Sequence, residues 1–190
     1  MKVLKERILR DGRVIMPDIL KVDSFLNHQI DVALFDEIGK EFARRFQKEH
    51  INKILTIESS GIALAVMTAR YFHDCPVVFV KKANSKIMDP HAYKAKVHSF
   101  TKNNDYTAQC AKAYLGPEDH ILIIDDFLAN GAAVGGMLEI CKQAQAHVEG
   151  VGIVIEKGFQ EGHDKIVSQG IHLESLAIID HFENGQVVFK

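Results

Sequence analysis

The chain of 190 residues has no tryptophan, three cysteines and four prolines. Cys75, Cys110 and Cys141 are isolated and form no CxxC pair, which argues against a disulfide framework or a thiolate zinc cluster and predicts reduced thiols. With its prolines scattered and no repeat or low-complexity tract, the chain has no visible linker to divide it. No apolar run reaches the length of a membrane span, and residues 1–30 carry charges throughout with no apolar stretch ahead of a cleavage site. A cytoplasmic protein with no membrane partner is the expectation. The formal net charge is only −2, without a basic block, so no nucleic acid partner is expected either. Ten histidines are present, yet none forms HExxH or another close ligand pair, so a metal held directly by the protein is not expected. GxxxxGK and GxSxG are missing, and the glycines at 131, 135 and 136 do not fit GxGxxG.

What is present is a full core. A hydrophobic content of 47% over this length fits one α/β domain with a small accessory lobe. Residues 2–11 read as a charged helix, and Val14, Ile15, Met16 and Pro17 open an irregular segment. Leu34, Ile38, Phe42 and Phe46 recur every fourth residue, which predicts an amphipathic helix within residues 31–49. Residues 51–57 predict a strand, 61–73 a helix and 76–80 a second strand, a β-α-β order that implies a right-handed parallel crossover. Residues 81–104 read as a long polar loop, with Lys81, Lys82 and Lys86 at its start, and loops of that length are commonly functional. A strand over 106–114 follows, then strand, helix and strand over 120–124, 131–146 and 150–155. A short helix near 164–168 and strands over 171–179 and 186–189 close the chain.

The most informative stretch is 121–134. Ile121, Leu122, Ile123 and Ile124 suit a parallel strand buried on both faces, and ligands bind beyond the carboxyl ends of such strands. Asp125 and Asp126 stand at that edge. Ala129, Asn130, Gly131, Ala132 and Ala133 keep the next turn free of bulk, so its amides and the positive end of a following helix can meet a phosphate. The blander alternative is a helix cap followed by a glycine turn.

An apolar strand, two acids, three residues, Asn, Gly and small residues resembles the phosphoribosyl-diphosphate (PRPP) signature of type I phosphoribosyltransferases. Residues 20–29, from Leu20 to Gln29, are similar to the purine branch of that family, as are Thr56-Ile57-Glu58-Ser59-Ser60-Gly61, His98-Ser99-Phe100-Thr101-Lys102 and Gly152-Ile153-Val154-Ile155-Glu156-Lys157. Within that branch the likeness is to the xanthine-using enzymes of bacterial purine salvage.

The resemblance implies one phosphoribosyltransferase domain over 1–190: a mostly parallel twisted sheet with helices on both faces, a core of about 31–156, and a hood lobe from 1–30 and 157–190. It implies transfer of the 5-phosphoribosyl group from PRPP to xanthine, giving xanthosine 5-monophosphate and pyrophosphate. Asp125 and Asp126 would be the catalytic acids, clamping the ribose hydroxyls and stabilising positive charge on the ribose. Residues 129–133 would hold the 5-phosphate, and Glu58, Ser59, Ser60 and Gly61 would form a pyrophosphate loop. Lys82 would contact pyrophosphate from a lid formed by the polar segment. Magnesium would arrive with PRPP, without direct protein ligands. Lys157 would donate to the 6-oxo oxygen, while Leu20 and Asn27 would contact xanthine and Phe159 would stack on its ring. A homodimer is implied as well.

Two departures stand out. Many such signatures carry an acid where this chain has Ala129, so the motif supplies no base for the purine proton. Ala132 also stands where a polar residue is expected. A PRPP-sensing regulator of the same fold, or an enzyme for another purine base, is the alternative reading. A regulator would be expected to carry a DNA-binding helix pair, for which the sequence leaves no evident room.

Overall fold

The computed structural model describes residues 1–83, 91–99 and 104–190. Its element order is α1 (Lys2–Asp11), β1 (Arg13–Ile15), β2 (Ile19–Lys21), a π-helical turn (Asp23–Asn27), α2 (Val32–Arg45), β3 (Lys53–Ile57), α3 (Gly61–Ala69), β4 (Val77–Ala83), β5 (Ala92–Ser99), β6 (Asn104–Ala111), a 3-10 turn (Lys112–Tyr114), β7 (His120–Leu128), α4 (Ala132–Ala144), β8 (His147–Lys157), α5 (Gly162–Val167), β9 (Leu173–Glu183) and β10 (Gln186–Phe189). Among the described residues, eight strands form one sheet in the order β10-β9-β8-β7-β3-β4-β6-β5. The five central strands, β9, β8, β7, β3 and β4, run parallel. An antiparallel β5-β6 pair borders one side, and β10 pairs antiparallel with β9 on the other.

Strand β7 explains the layering. Ile121 and Ile123 pack with Val134, Met137 and Ile140 of α4 on one face. Leu122 and Ile124 pack with Phe35, Ile38, Phe42 and Phe46 of the α2 segment on the other. Alternation along a strand sends neighbours to opposite faces, so a wholly apolar run belongs to a sheet covered twice. Each such fully buried side chain contributes about 1.5–3 kcal/mol. Helix α2 begins where Asp31 accepts a bond from the Leu34 amide at 3.1 Å, and it approaches β8 closely because that strand offers glycines. A Cβ on Gly150 would lie 2.4 Å from Phe46 Cε1, and one on Gly152 would lie 2.8 Å from Phe42 Cε1. The four-residue apolar period therefore meets two notches in the sheet.

Three expectations change. Residues 13–21 are not irregular: β1 and β2 form a hairpin with Val14 opposite Leu20, turned through the Met16-Pro17-Asp18 segment. The polar stretch 81–104 is not one long loop, because β4 continues to Ala83 and β5 and β6 pair with His98 opposite Asp105. Ala95 and Val97 are buried between exposed Lys96 and His98, a two-residue alternation that the lysines obscure. Val97 seats against α4, where a Cβ on Gly136 would meet its Cγ2 at 2.5 Å. Thirdly, β9 is a parallel member of the main sheet, with Lys157 opposite Ile179, so the sheet extends well past residue 156. Helix α1 packs on β9 and β10, and the Met1 amine donates to the Leu176 carbonyl.

Candidate active site

A cleft of about 580 Å³ opens at the carboxyl ends of the parallel strands. One wall is the signature itself, with Asp126, Phe127 and residues 128–134 lining it from the end of β7 into α4. The opposite side is built from Asp18, Ile19, Leu20 and Asn27 of the amino-terminal segment, with Lys157 at the end of β8 and Gln160 just after it. Lys82, Val97, His98 and Tyr106 enter from the β4-β5-β6 edge. Of the residues singled out from sequence, Leu20, Asn27, Lys82, Asp126, Ala129, Asn130, Gly131, Ala132, Ala133 and Lys157 meet around this one cavity.

The turn between β7 and α4 is shaped for close approach. Gly131 has φ 81°, a left-handed conformation that glycine adopts without steric cost. Asn130 Oδ1 accepts from the Ala132 amide at 3.0 Å, so this side chain folds the loop. The first amides of a helix have no intrahelical acceptor; Asn130 takes that of Ala132, and small side chains at 129–133 leave those that follow open to an anion. From behind, Gly162 donates its amide to the Ala129 carbonyl at 3.0 Å, and a Cβ on Gly131 would lie 3.2 Å from Gly162 Cα.

The two acids are unequal. Asp126 is half-buried and faces the cleft, whereas Asp125 is 4% exposed and does not line it. Asp125 Oδ1 accepts from the Asp126 amide at 3.0 Å, and Asp126 Oδ1 accepts from the Phe127 amide at 3.0 Å. Burial first, and the charge of Asp126 second, raise the Asp125 pKa well above the usual carboxylate range. Beside it lies Gly61, where a Cβ would be 3.5 Å from Asp125 Oδ1 and 2.1 Å from Thr56 Oγ1.

Glu58, Ser59, Ser60 and Gly61 stand next to the cleft between β3 and α3 and do not line it. The Glu58–Ser59 peptide is cis, and Ser60 occupies the α3 N-cap position without a side-chain capping bond. Glu58 Oε1 accepts from the Lys82 amide at 2.5 Å, tying this loop to β4. The Lys82 ammonium lies 5.4 Å from the ring centroid of Tyr106, whose phenol is pushed up to about 12 by burial and by Asp125. Lys86 and the Phe100-Thr101-Lys102 part of the expected lid lie outside the described residues.

At the other end of the cleft, Lys157 Nζ donates to the Asp18 carbonyl at 2.7 Å, and burial lowers its pKa. A turn closed by the Gln160 amide on the Lys157 carbonyl at 2.9 Å sends both side chains to the cavity. Leu20 is buried and also belongs to the core, while Asn27 is exposed at the end of the π-helical turn anchored by Phe25 and Leu26. Phe159 is not part of the lining and packs edge-on against Phe182 at 5.7 Å. Asp18, Gln160, Phe127 and Tyr106 are cleft residues that sequence reasoning missed. The Pro-Asp turn signal pointed to Asp18, and the adjacency of Phe127 to Asp126 pointed to that ring; Gln160 and Tyr106 carry no comparable mark. Burial pushes the Cys110 and Cys141 thiols up to about 11 and about 12, away from the reactive thiolate form.

Comparison with known proteins agrees with this arrangement. Residues 22–186 match the phosphoribosyl transferase domain family. Full-length relatives include a xanthine phosphoribosyltransferase of Clostridium novyi, 56% identical with all of both chains covered, and one of Clostridioides difficile, 52% identical with the same coverage. Among solved structures, adenine phosphoribosyltransferase from Rhodothermus marinus superposes with a TM-score of 0.74 over 94% of this chain and 100% of that one at 19% identity. That of Leishmania tarentolae superposes with a TM-score of 0.76 over 96% and 90% at 16% identity. These two similarities speak to the fold, and the family match and the full-length relatives to ancestry: the chain belongs to the phosphoribosyltransferase family.

Proposed function

We propose that this protein is a xanthine phosphoribosyltransferase, transferring the 5-phosphoribosyl group of PRPP to xanthine. The supporting observation is the single cleft in which an amide-rich turn, Asp126, Lys157 and Asn27 converge. Its relatives' names add the base. In the reaction the bond from ribose C1 to the pyrophosphate oxygen breaks, a ring nitrogen of xanthine bonds to C1, and pyrophosphate leaves with the electron pair.

Residues 129–133 hold the 5-phosphate through main-chain amides, which a neutral helix start supplies without a lysine. Asp126 accepts from the ribose hydroxyls, and with Asp125 behind it supplies the negative field that favours an oxocarbenium-like transition state. Glu58, Ser59, Ser60 and Gly61, together with Lys82, serve the pyrophosphate end. Lys157 donates to the 6-oxo oxygen, where the amino group of adenine would oppose donor to donor. Leu20 packs on the base and Asn27 pairs with the 2-oxo oxygen that distinguishes xanthine from hypoxanthine. With Ala129 in the usual place of an acid, xanthine enters as its anion, its proton released before transfer.

Phosphoribosyltransferases of this type generally use magnesium with PRPP. Among the described residues no three histidine, cysteine or acidic side chains converge as a metal cage. A carboxylate whose pKa is raised first by burial and second by a like-charged neighbour nevertheless fits a nearby cation delivered with substrate. Delivered with PRPP to the cleft that Asp126 lines, magnesium would neutralise charge on the pyrophosphate. Among the described residues no helix is long and apolar enough to cross a membrane. A cytoplasmic homodimer completes the reading, and light scattering tests the dimer.

The decisive experiment measures pyrophosphate release with PRPP, magnesium and each purine in turn. Turnover with xanthine well above hypoxanthine, guanine and adenine is expected. No turnover with any base would remove the enzyme reading, and preference for another base would correct the substrate.

A further inference from the structure

Glu156 is a buried acid for which the proposed chemistry has no use. It is 2% exposed at the end of β8, next to Lys157 in sequence, and both its oxygens are engaged away from the cleft. Ser175 Oγ on β9 donates to Oε2, and His163 Nδ1 on α5 donates to Oε1 at 3.1 Å. A buried carboxylate is costly unless its lone pairs are satisfied, so this one fixes both donors in place. The residue before His163 is Gly162, which donates its amide to Ala129 of the phosphate turn at 3.0 Å. It fits there without a side chain, because a Cβ would lie 2.3 Å from the Ala129 oxygen and 2.9 Å from the Gly131 nitrogen. One turn further along α5, Lys165 Nζ reaches the Asn130 carbonyl at 3.3 Å. Helix α5 thus backs the turn at residues 129, 130 and 131, and Glu156, through His163, is a polar tie of α5 to the sheet beside the apolar one made by buried Ile166.

We infer that Glu156 is a positioning residue for the phosphate turn, holding α5 through His163 so that the amides of residues 129–133 converge on the 5-phosphate of PRPP. This rests on the proposed reading of that turn as the 5-phosphate site. It explains how a turn whose side chains are mostly hydrogen or methyl keeps a fixed shape: the rigidity comes from behind. Such a brace acts on one substrate only. The base end of the cleft is set by Lys157, Asp18 and Asn27, none of which touches His163 in the bonds described above.

The test compares His163→Ala, His163→Asn and Glu156→Gln with wild type, reading KM for PRPP, KM for xanthine, kcat and Tm. His163 is 43% exposed at its side chain, so its removal spares the core. His163→Ala is expected to raise KM for PRPP about five-fold to ten-fold, the upper figure matching the loss of about one hydrogen bond to a charged group. KM for xanthine should stay within about two-fold, the scatter of non-interacting sites. His163→Asn, whose amide can still donate to Glu156, should recover most of the loss, and Glu156→Gln should shift KM for PRPP in the same direction as His163→Ala. An unchanged KM for PRPP in His163→Ala overturns the inference, as do equal rises in both KM values or failure of His163→Asn to recover. If Glu156→Gln does not fold, the two His163 variants decide. Lack of wild-type turnover would instead overturn the proposed function, so the two failures are distinguishable.

Discussion

Replacing Asp125 with asparagine should make the protein more stable and less active, and the stability gain should depend on pH. In the unfolded chain this carboxyl has its ordinary pKa of 3.8, whereas in the folded protein burial and the neighbouring Asp126 charge raise it well above that. Between the two values the folded state retains a proton that the unfolded state has released, so stability falls as pH rises through that interval. Above the folded pKa the full penalty applies. Each unit of separation corresponds to about 1.36 kcal/mol. Relief of a poorly compensated buried charge by a neutral residue of the same shape is worth about 1–2 kcal/mol. For a chain of this size that is a rise in Tm of about 2–8 °C. The new amide keeps an oxygen for the Asp126 N–H, now 3.0 Å away, and lies beside the buried Thr56 hydroxyl, which has no partner among the described residues. Thermal unfolding of both proteins from pH 8 down to pH 5 provides the measurement, with pyrophosphate release at pH 8 alongside. The gain should be largest at high pH and shrink on acidification, while turnover drops by about ten-fold or more. A gain independent of pH, or no gain at pH 8, would refute the account of Asp125 as a strained buried charge.

Asp126→Asn should cut kcat by about a hundred-fold while shifting Tm by less than about 2 °C, because this half-buried acid faces the cleft; steady-state rates and calorimetry decide it. Lys157→Met should raise KM for xanthine by about ten-fold to a hundred-fold with KM for PRPP little changed, as expected for a lost charged donor at the base end. In wild type the charge that strengthens the Lys157 donor should be lost as pH rises through a value below the ordinary 10.5, since burial depresses its pKa; a binding profile for 6-oxopurines flat to pH 10.5 would contradict this. Gly131→Ala should cost about 1–3 kcal/mol in stability, given its positive φ and a Cβ placed 3.2 Å from Gly162 Cα, and should weaken PRPP binding measured by titration. Tyr106→Leu should raise KM for PRPP, whereas Tyr106→Phe, which keeps a ring facing the Lys82 ammonium at 5.4 Å, should largely preserve it.

The parts of the site that lie close together in sequence were legible there. Ile121 to Ile124 and the bulk-free turn announce strand and helix start through strictly local chemistry and appear where expected, but β7 continues to Leu128, so the acid pair lies within the strand and not at its edge. Leu34, Ile38, Phe42 and Phe46 likewise name a helix face, and all four are buried. What was not legible depends on partners far along the chain. Ala95 and Val97 alternate with Lys96 and His98, but pairing with β6 makes that a strand and α4 beneath them buries its face. Nothing near Asp125 in sequence tells that it is sunk below its neighbour, because Gly61 and Thr56 make its surroundings. Phe159 illustrates the opposite error: an aromatic near a lysine expected to read the base invites stacking, and Phe182, 23 positions on, had already claimed it. Length of a strand was also underestimated, since β8 runs from His147 to Lys157 through exposed and polar ends that carry no apolar signal.

The bond from Lys157 to the Asp18 carbonyl joins two segments 139 residues apart in sequence. It makes the turn at 16–19 and the lysine that we propose reads the base a single mechanical part, so a change in that turn moves the ammonium without touching it. Directed evolution toward other purines would therefore find productive substitutions in a hairpin turn that no alignment of active-site motifs would nominate. A library restricted to the signature, where we propose that the ribose phosphate is gripped, would miss them. On the proposed reading, the grip on the sugar sits mid-chain at residues 125–133, while the choice of base is written into segments on either side of it, at Leu20 and Asn27 before and Lys157 after.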